Sequence, residues 1–425
     1  MSAKNHNRWY RLDNAATIVP ASARGSDTRV FRITCELKEE VNETLLIEAL
    51  EQTLLEFPHM NVVLRKGLFW YYMDSTDLAP EVREEDKPAC SPLYFPGRRT
   101  LLYRVNYFRR RINLEMFHVL ADGTGGFLFI KKLVTNYLSI AHGLAVEIPP
   151  SDASSVSQME DDAFKHFYSK EKGSDQLSQM TSTKAYQVRQ YKDDALENHL
   201  LEITISAKSF IDLAHKYNTT AGILSVSLYI ESVISSMRLK DYKRPIVVSV
   251  PVNLRQFFDS DTARNFFGVI NIRYDAHDYD GSLESILEKV KVSFEKQQAP
   301  ESIRKTMNGY SALQHNFAAR MVPLFIKDIA IGFFLHLTRK GTTATISNLG
   351  LIKMPKEVEG YIDRFSSFMA NSNMQICIST FQDKMVFGVD TAYSEHEVVL
   401  RLVRRMVKLG LKVELGTNDY DAREE

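Results

Sequence analysis

Hydrophobic and polar residues repeat with two different periods along the first third of the chain. Residues 29–37 (RVFRITCEL) alternate with the period of two that is typical of a β-strand. Residues 42–58 repeat every three to four positions and stop at Pro58, which predicts an amphipathic helix. The same patterns predict two strands within 60–74, a hairpin of strands 100–108 and 112–119, and a helix over 125–143.

The second half of the chain repeats a similar alternation after a polar stretch that ends near residue 194. The patterns there predict strands over 199–206, 245–250 and 269–274, a pair of strands within 374–393, and helices over 219–237, 282–297, 321–337 and 394–410. Strands and helices therefore alternate throughout, which indicates an α/β protein. We expect an N-terminal lobe over 1–175, a linker or crossover over 176–198 and a C-terminal lobe over 199–425.

Composition and charge are those of an ordinary globular protein. Of 425 residues, 44% are hydrophobic and 25% charged, and 53 basic side chains balance 53 acidic ones. A nucleic-acid partner is disfavoured, because a phosphate-backbone binder usually carries a basic excess. One local basic run, residues 97–111, is interpreted as a solvated hairpin, and the alternative is a binding site for a phosphorylated ligand.

Cysteine usage and the terminal sequence favour a cytoplasmic protein. The three cysteines lie far apart without a Cys-x-x-Cys pair, so neither a disulfide framework nor a metal site is indicated. The N-terminal residues are polar and lack the apolar core of a signal peptide. The most apolar segment, residues 321–337, is too short to span a bilayer comfortably and contains Lys327 and Asp328. It is expected to be a buried or a lipid-facing helix, and burial is favoured.

His118 lies where the predicted strand 112–119 meets a glycine-containing loop. If the strand buries the face of Ile112, Leu114 and Met116, the imidazole projects inward at its end. A lone histidine on an apolar face is more often a hydrogen-bonded core residue. Here, however, the glycines at positions 123, 125 and 126 allow another backbone or a ligand to come close, and a helix N-terminus follows.

The segment HVLADG (118–123) resembles the H-x-x-x-D-G motif of the acyl-CoA-dependent acyltransferases shaped like chloramphenicol acetyltransferase. That superfamily includes alcohol acetyltransferases, peptide-forming condensation domains and polyketide-associated acyltransferases. Three further segments are similar to family segments: WYRLDNAA (9–16), PVNLRQFFDSDTARNFFG (251–268) and TISNLG (345–350). The resemblance implies two chloramphenicol-acetyltransferase-like lobes, each a mixed sheet with flanking helices, and an active-site channel between them.

Two departures from the family pattern favour a stand-alone O-acyltransferase. Phe117 precedes the motif histidine, whereas peptide-forming condensation domains usually carry a second histidine there. The Asp-Phe-Gly-Trp-Gly signature of plant members is absent. The chain is therefore most similar to the alcohol acetyltransferase and polyketide-associated members.

The resemblance also implies roles for individual residues. His118 would be the general base, a role that suits an imidazole near neutral pH. Asp122 would pair with Arg255 and hold the loop, although an arginine on a solvated turn is the alternative. Gly123 would serve backbone geometry. Asn265, Gly268, Ser347 and Asn348 would line the channel, and for Asn265 and Gly268 a simple loop role is equally expected.

We therefore expect transfer of an acyl group from acyl-CoA to an alcohol by direct attack, since no nucleophile elbow is evident. Acyl-CoA would be a cosubstrate, with no permanently bound cofactor and no metal. The acceptor could instead be an amine, and the donor could be an acyl carrier protein. Two other functions stay open: an amide-forming condensation enzyme, and a non-catalytic acyltransferase fold used for binding.

Overall fold

A computed structural model describes residues 9–146, 163–167, 184–192, 198–315 and 321–418. The strands are β1 Trp9–Arg11, β2 Val30–Leu37, β3 Val62–Lys66, β4 Tyr71–Ser75, β5 Val82–Glu84, β6 Tyr103–Phe108, β7 Arg111–Phe117, β8 His199–Ser206, β9 Ile246–Asn253, β10 Phe267–Tyr274, β11 Ala344–Leu351, β12 Ile362–Met369, β13 Met374–Phe381, β14 Lys384–Thr391 and β15 Glu414–Thr417. The helices are α1 Val19–Ser22, α2 Glu43–Glu56, α3 Gly123–His142, α4 Ala163–Phe167, α5 Ala207–Lys216, α6 Ala221–Ser236, α7 Leu283–Gln298, α8 Pro300–His315, α9 Leu324–Thr338, α10 Lys356–Glu359 and α11 Glu397–Lys408.

Within the described residues, the strands form two large mixed sheets and one small sheet. The five-stranded sheet has the order β12-β2-β7-β6-β5, and the seven-stranded sheet has the order β10-β9-β11-β13-β14-β8-β15. Parallel pairs occur in both, between β5 and β6 and on either side of β11. Mixed sheets with flanking helices confirm the predicted α/β class.

Each large sheet has its own hydrophobic core. In the first, β2, β6 and β7 pack against α2 and α3, whose apolar positions are spaced to bury one face of each helix. In the second, the seven-stranded sheet packs against α6, α7 and α11. Helix α3 ends at the predicted glycine, because Gly143 adopts the left-handed conformation (φ 64°) that terminates many helices.

One strand of the first sheet comes from the second half of the chain. β12 pairs antiparallel with β2, with Phe365 opposite Cys35 and Met369 opposite Phe31. The sequence patterns did not predict this strand, nor helices α5 and α8. Residues 176–183 and 193–197 of the predicted linker lie outside the described residues, and the boundaries of the two lobes stay a prediction.

Ion pairs connect the two large sheets. Arg111 on β7 contacts Glu36 at 3.0 Å and Glu202 of β8 at 2.9 Å. Arg364 on β12 contacts Glu36 at 3.1 Å, so both arginines share the same carboxylate. The basic run at 97–111 is thus a hairpin whose Arg104, like Arg111, pairs with a carboxylate of the protein. The hairpin is confirmed, but the Arg104 side chain is mostly buried against Glu115 rather than solvated.

The prediction that the apolar segment 321–337 is buried is wrong for one of its faces. Leu324 is buried, whereas Phe325, Ile329 and Phe333 are each exposed. The reason is geometric: helix α9 lies against α1 and the β3–β4 turn, and neighbours cover only the side that faces them. Among the described helices, none combines the length and the apolar composition that crossing a membrane would require.

Candidate active site

His118 directly follows β7, at the point where the strand gives way to the loop before α3. Its backbone N–H donates to the carbonyl of Arg29 at 2.9 Å, which continues the β2–β7 ladder by one residue. The imidazole is only partly buried and stands edge-on to Phe31, with ring centroids 5.5 Å apart. Phe267 of β10 contacts it from the other large sheet, also at 5.5 Å. The histidine therefore lies between the two sheets.

Asn265 holds the inner side of the imidazole. Its Oδ1 is 2.9 Å from Nδ1 of His118, and its Nδ2 donates to the His118 carbonyl at 3.1 Å. The same amide nitrogen donates to Oδ2 of Asp13 at 3.1 Å. Because the amide N–H groups are used by two oxygens, Oδ1 is left as the acceptor that faces the imidazole.

This network determines which imidazole nitrogen carries the proton. Since Oδ1 of Asn265 can only accept, Nδ1 of His118 must be the donor, and in the neutral imidazole Nε2 then keeps its lone pair. Burial lowers the pKa of His118 from its ordinary value, while Asp122 and the bond to Asn265 act in the opposite direction. A neutral imidazole with an unprotonated Nε2 is the form that can remove a proton from a substrate.

Asp122 faces away from this imidazole and caps helix α3. One carboxylate oxygen accepts the backbone N–H of Gly125 at 3.0 Å, and the other accepts that of Phe266 at 2.9 Å. The first is the N-cap bond favoured at helix starts, and an anion there is also stabilised by the helix dipole. Asp122 therefore joins the helix to the loop that precedes β10.

Arg255 completes this joint. Its Nη1 is 2.8 Å from Oδ2 of Asp122, and both side chains are nearly buried. The guanidinium also donates to the carbonyls of Thr262 (2.9 Å) and Arg264 (2.6 Å). The structure thus brings together the aspartate and the arginine that the sequence analysis paired, and the arginine also fixes the loop carrying Asn265.

Glycines allow the helix and the loop to approach this closely. A Cβ atom on Gly125 would lie 1.9 Å from the carbonyl oxygen of Ala263, and one on Gly123 would lie 2.8 Å from Leu349. The close backbone approach expected at these glycines is confirmed at Gly125. Gly268 lies within strand β10 rather than in a loop, at ordinary contact distance from Leu254, and it is not part of the wall of the cavity described below.

A cavity of about 1660 Å³ lies between the sheets and includes His118 in its wall. Ser347 and Asn348 of β11 line it, and Asp122 and Gly123 also contribute to its wall. Asn265 does not line it: the side chain is buried behind the histidine. In the described part of the chain, no group of three or more His, Cys, Asp or Glu side chains could hold a metal ion.

The sequence analysis missed Asp13 and Arg264. Asp13 is fully buried, its Oδ1 accepts the N–H of Ala16 at 2.8 Å, and Arg264 lies 3.6 Å from its Oδ2. Asp13 belongs to the segment WYRLDNAA, which was noted only as a family-like opening. No spacing in the sequence links this aspartate to Asn265, because more than half of the chain separates them.

Comparison with solved structures places this architecture among known folds. The TRI101 protein of F. graminearum, complexed with coenzyme A and T-2 mycotoxin, superimposes with a TM-score of 0.65 over 96% of this chain and 100% of that chain, at 12% identity. The trichothecene 15-O-acetyltransferase TRI3 of Fusarium sporotrichioides gives a TM-score of 0.59 over 94% of each chain, at 12% identity. The first condensation domain of the CDA synthetase gives 0.61 over 95% and 97%, at 14% identity.

Comparisons by sequence gave a different outcome from the comparison of structures. No protein-family model matches the chain, and no curated protein sequence matches it. The solved structures nevertheless cover nearly the whole chain in one alignment. The chain therefore has the fold of these acetyltransferase and condensation-domain structures, which is the fold that the resemblance in its motifs predicted.

Proposed function

We propose that the protein is an acyltransferase that moves an acyl group from a coenzyme A thioester to an alcohol, with His118 as the general base. The observation that carries this proposal is the bond between His118 and Asn265, which leaves Nε2 unprotonated in the wall of a large cavity. The fold supports it, because similar structures include a trichothecene 15-O-acetyltransferase and a protein complexed with coenzyme A.

The reaction would proceed by direct attack within a ternary complex. Nε2 of His118 accepts the hydroxyl proton while the alcohol oxygen forms a bond to the thioester carbonyl carbon. The tetrahedral intermediate then collapses, the C–S bond breaks, and the imidazolium returns its proton to the leaving thiolate. The products are an ester and the free CoA thiol, and the histidine regains its starting protonation state.

Asp122 and Arg255 would contribute by positioning rather than by proton transfer. The Asp122 carboxylate is fully occupied by Arg255 and two backbone N–H groups. It therefore holds the loop of Asn265 against helix α3, and Asn265 in turn holds the imidazole. Ser347, Asn348 and Gly123, which line the cavity, would contact the substrates.

The test is a screen of acyl-CoA thioesters against alcohols and amines, followed by free thiol and by the mass of the product. The parent protein should release CoA thiol only with an acceptor present, and His118→Ala should lose this activity while keeping its circular dichroism spectrum. His277→Ala, which changes an exposed histidine, is the matched control and should behave like the parent. Equal thiol release by His118→Ala and the parent would refute the assignment.

The same screen separates the two alternative functions. Amide products, or activity only with acyl groups on carrier proteins, would indicate a condensation enzyme; one similar structure is such a condensation domain. Calorimetric binding of acyl-CoA without turnover would indicate a non-catalytic binding protein. A cytoplasmic location is part of the proposal, because the three cysteines are all buried and free.

A further inference from the structure

The outer face of helix α9 presents a row of large apolar side chains to solvent. Phe325, Ile329 and Phe333 are spaced four residues apart and lie on one side of the helix, and Met321 continues the row before its first turn. Their exposed fractions lie between 58% and 68%. Single exposed apolar residues are common on protein surfaces, but a contiguous row marks an interaction surface.

The turn between β3 and β4 extends this row. Leu68 is 70% exposed and Trp70 is 47% exposed. The backbone N–H of Leu324 donates to the Leu68 carbonyl at 2.8 Å, and Lys327 donates to the Phe69 carbonyl at 2.9 Å, so the turn abuts the start of the helix. We call the whole surface the apolar stripe; it consists of Leu68, Trp70, Met321, Phe325, Ile329 and Phe333.

The apolar stripe is continuous with the cavity that contains His118. The other side of α9 lines that cavity through Ala330, Ile331 and Phe334. Trp70 of the stripe also lines the cavity, and so does Ile326, which directly follows Phe325 of the stripe and is 45% exposed. An apolar molecule could thus pass from the stripe into the cavity without leaving an apolar surface.

Charge around the stripe suits an anionic partner. Asp328 is the only acidic residue between positions 321 and 343, and it is held by Lys66 at 2.8 Å and by the Tyr71 hydroxyl at 2.9 Å. The same segment contributes basic Lys327 and Lys340, whereas its third basic residue, Arg339, pairs with Asp27 at 3.4 Å. Exposed aromatic and aliphatic side chains beside basic ones are the composition of helices that lie in the membrane interface. Tryptophan is also enriched at that depth.

We propose that the apolar stripe rests on an anionic phospholipid surface, and that a lipophilic alcohol dissolved in the lipid enters the cavity past Trp70 and Ile326. The docking is inferred from the exposure of the apolar stripe and from the charge around it. The delivery part rests on the proposed acyl transfer at His118. An apolar acceptor partitions into membranes, so collecting it there avoids its low concentration in water.

Vesicle flotation tests the docking. The parent should float with vesicles of phosphatidylcholine and phosphatidylglycerol, and more weakly with phosphatidylcholine alone. The triple variant Phe325→Ser, Ile329→Ser, Phe333→Ser should partition at least about tenfold less, because it removes the apolar area that would enter the interface. The control Leu55→Ser, Leu239→Ser, Val292→Ser removes three exposed apolar side chains elsewhere and should float like the parent.

A fluorescence measurement tests the orientation on the lipid. The chain has two tryptophans, so Trp9→Phe leaves Trp70 as the only one. Its emission should shift to shorter wavelength on adding the anionic vesicles, since the indole moves from water into the interface. An unchanged spectrum in a protein that floats would show that another surface binds, which overturns the proposal.

Activity on two acceptors tests the delivery. The stripe variant should lose at least about tenfold in transfer to a long-chain alcohol presented in vesicles, yet keep transfer to a short water-soluble alcohol. If the parent transfers an acyl group to neither alcohol, the proposed function is refuted. The flotation experiment still tests the docking in that case. Failure of the parent to float, equal flotation by the stripe variant, or a parent dimer that the stripe variant dissociates would each overturn the docking.

Discussion

Nδ1 of His118 lies 2.9 Å from Oδ1 of Asn265, an amide contributed by the other half of the chain. In Ser-His-Asp triads a carboxylate occupies this position and fixes the tautomer. An amide oxygen fixes the same tautomer without a negative charge, so it raises the imidazole pKa less than a carboxylate would. The aspartate nearest in sequence, Asp122, is instead committed to Arg255.

Asn265→Ala should lower kcat about tenfold to a hundredfold with little change in KM. Without the acceptor, Nδ1 no longer has to carry the proton, and the fraction of histidine with a free Nε2 falls. Steady-state kinetics on the best substrate pair of the screen would measure this. Asn348→Ala, an equal change in the cavity wall, should act mainly on KM. If Asn265→Ala keeps the kcat of the parent, Asn265 does not position His118 for catalysis.

The pH dependence of kcat/KM should show an acidic limb below 6.5, the ordinary pKa of histidine. Burial lowers the pKa of His118, so the neutral, proton-accepting form persists to more acidic pH. Activity should therefore be flat from about pH 7 to about pH 8 and fall only as the imidazole becomes protonated. Rates would be measured with the fold checked at each pH by circular dichroism. If the acidic limb of kcat/KM has its midpoint above 6.5, the ordinary pKa of histidine, the assignment of His118 as the base is contradicted.

Asp122→Asn should lower the free energy of unfolding by about 3 kcal/mol, because it leaves the nearly buried guanidinium of Arg255 without its carboxylate. The double variant Asp122→Asn, Arg255→Met should lose less than the sum of the single losses, since the uncompensated charge is then gone. Urea unfolding measures all three variants. Glu301→Gln, which breaks an exposed pair with Lys305, should leave the midpoint unchanged.

Gly125→Ala should destabilise the protein by at least about 2 kcal/mol and reduce acyl transfer. The new methyl group would meet the carbonyl oxygen of Ala263 at 1.9 Å, which forces helix α3 away from the Asn265 loop. Gly222→Ala is the matched control: it lies in helix α6 and its Cβ would be 3.6 Å from Asn348, an ordinary contact. That control should keep or gain stability, since alanine favours a helix. Thermal unfolding would compare them.

His59 should make the fold less stable in acid. Burial, with a smaller contribution from Arg264, lowers the pKa of His59 from 6.5 to about 4. The unfolded chain therefore takes up this proton first as pH falls, so the stability is complete above 6.5 and is lost towards pH 4. Through this effect of His59, the free energy of unfolding should fall by about 2 kcal/mol between about pH 7 and about pH 5.

Urea unfolding at the two pH values measures the contribution of His59. The free energy of unfolding of His59→Gln should differ less between the two pH values than that of the parent, because glutamine does not titrate. His277→Gln, which changes an exposed histidine, should retain the full difference. An equal pH dependence in the parent and in His59→Gln would show that the His59 pKa is not lowered.

The amino-acid sequence alone determined the local structure and the location of the candidate histidine. Period-two and period-3.6 patterns predicted β2, α2, the β6–β7 hairpin and α3, because side-chain spacing decides which face of an element can be buried. The motif at 118–123 pointed to His118 and to a joint between Asp122 and Arg255, through a family resemblance.

Only the tertiary structure decided what surrounds that histidine. β12 joins the first sheet from the far half of the chain, and its hydrogen bonds to β2 follow no local pattern. Asn265 and Asp13 are 252 positions apart in the sequence, and the hydrogen bond between them can form only after both sheets have packed. Most residues of helix α9 are apolar and fall on every side of it, and only the packing of its neighbours determined that one face lines the cavity and the other meets solvent.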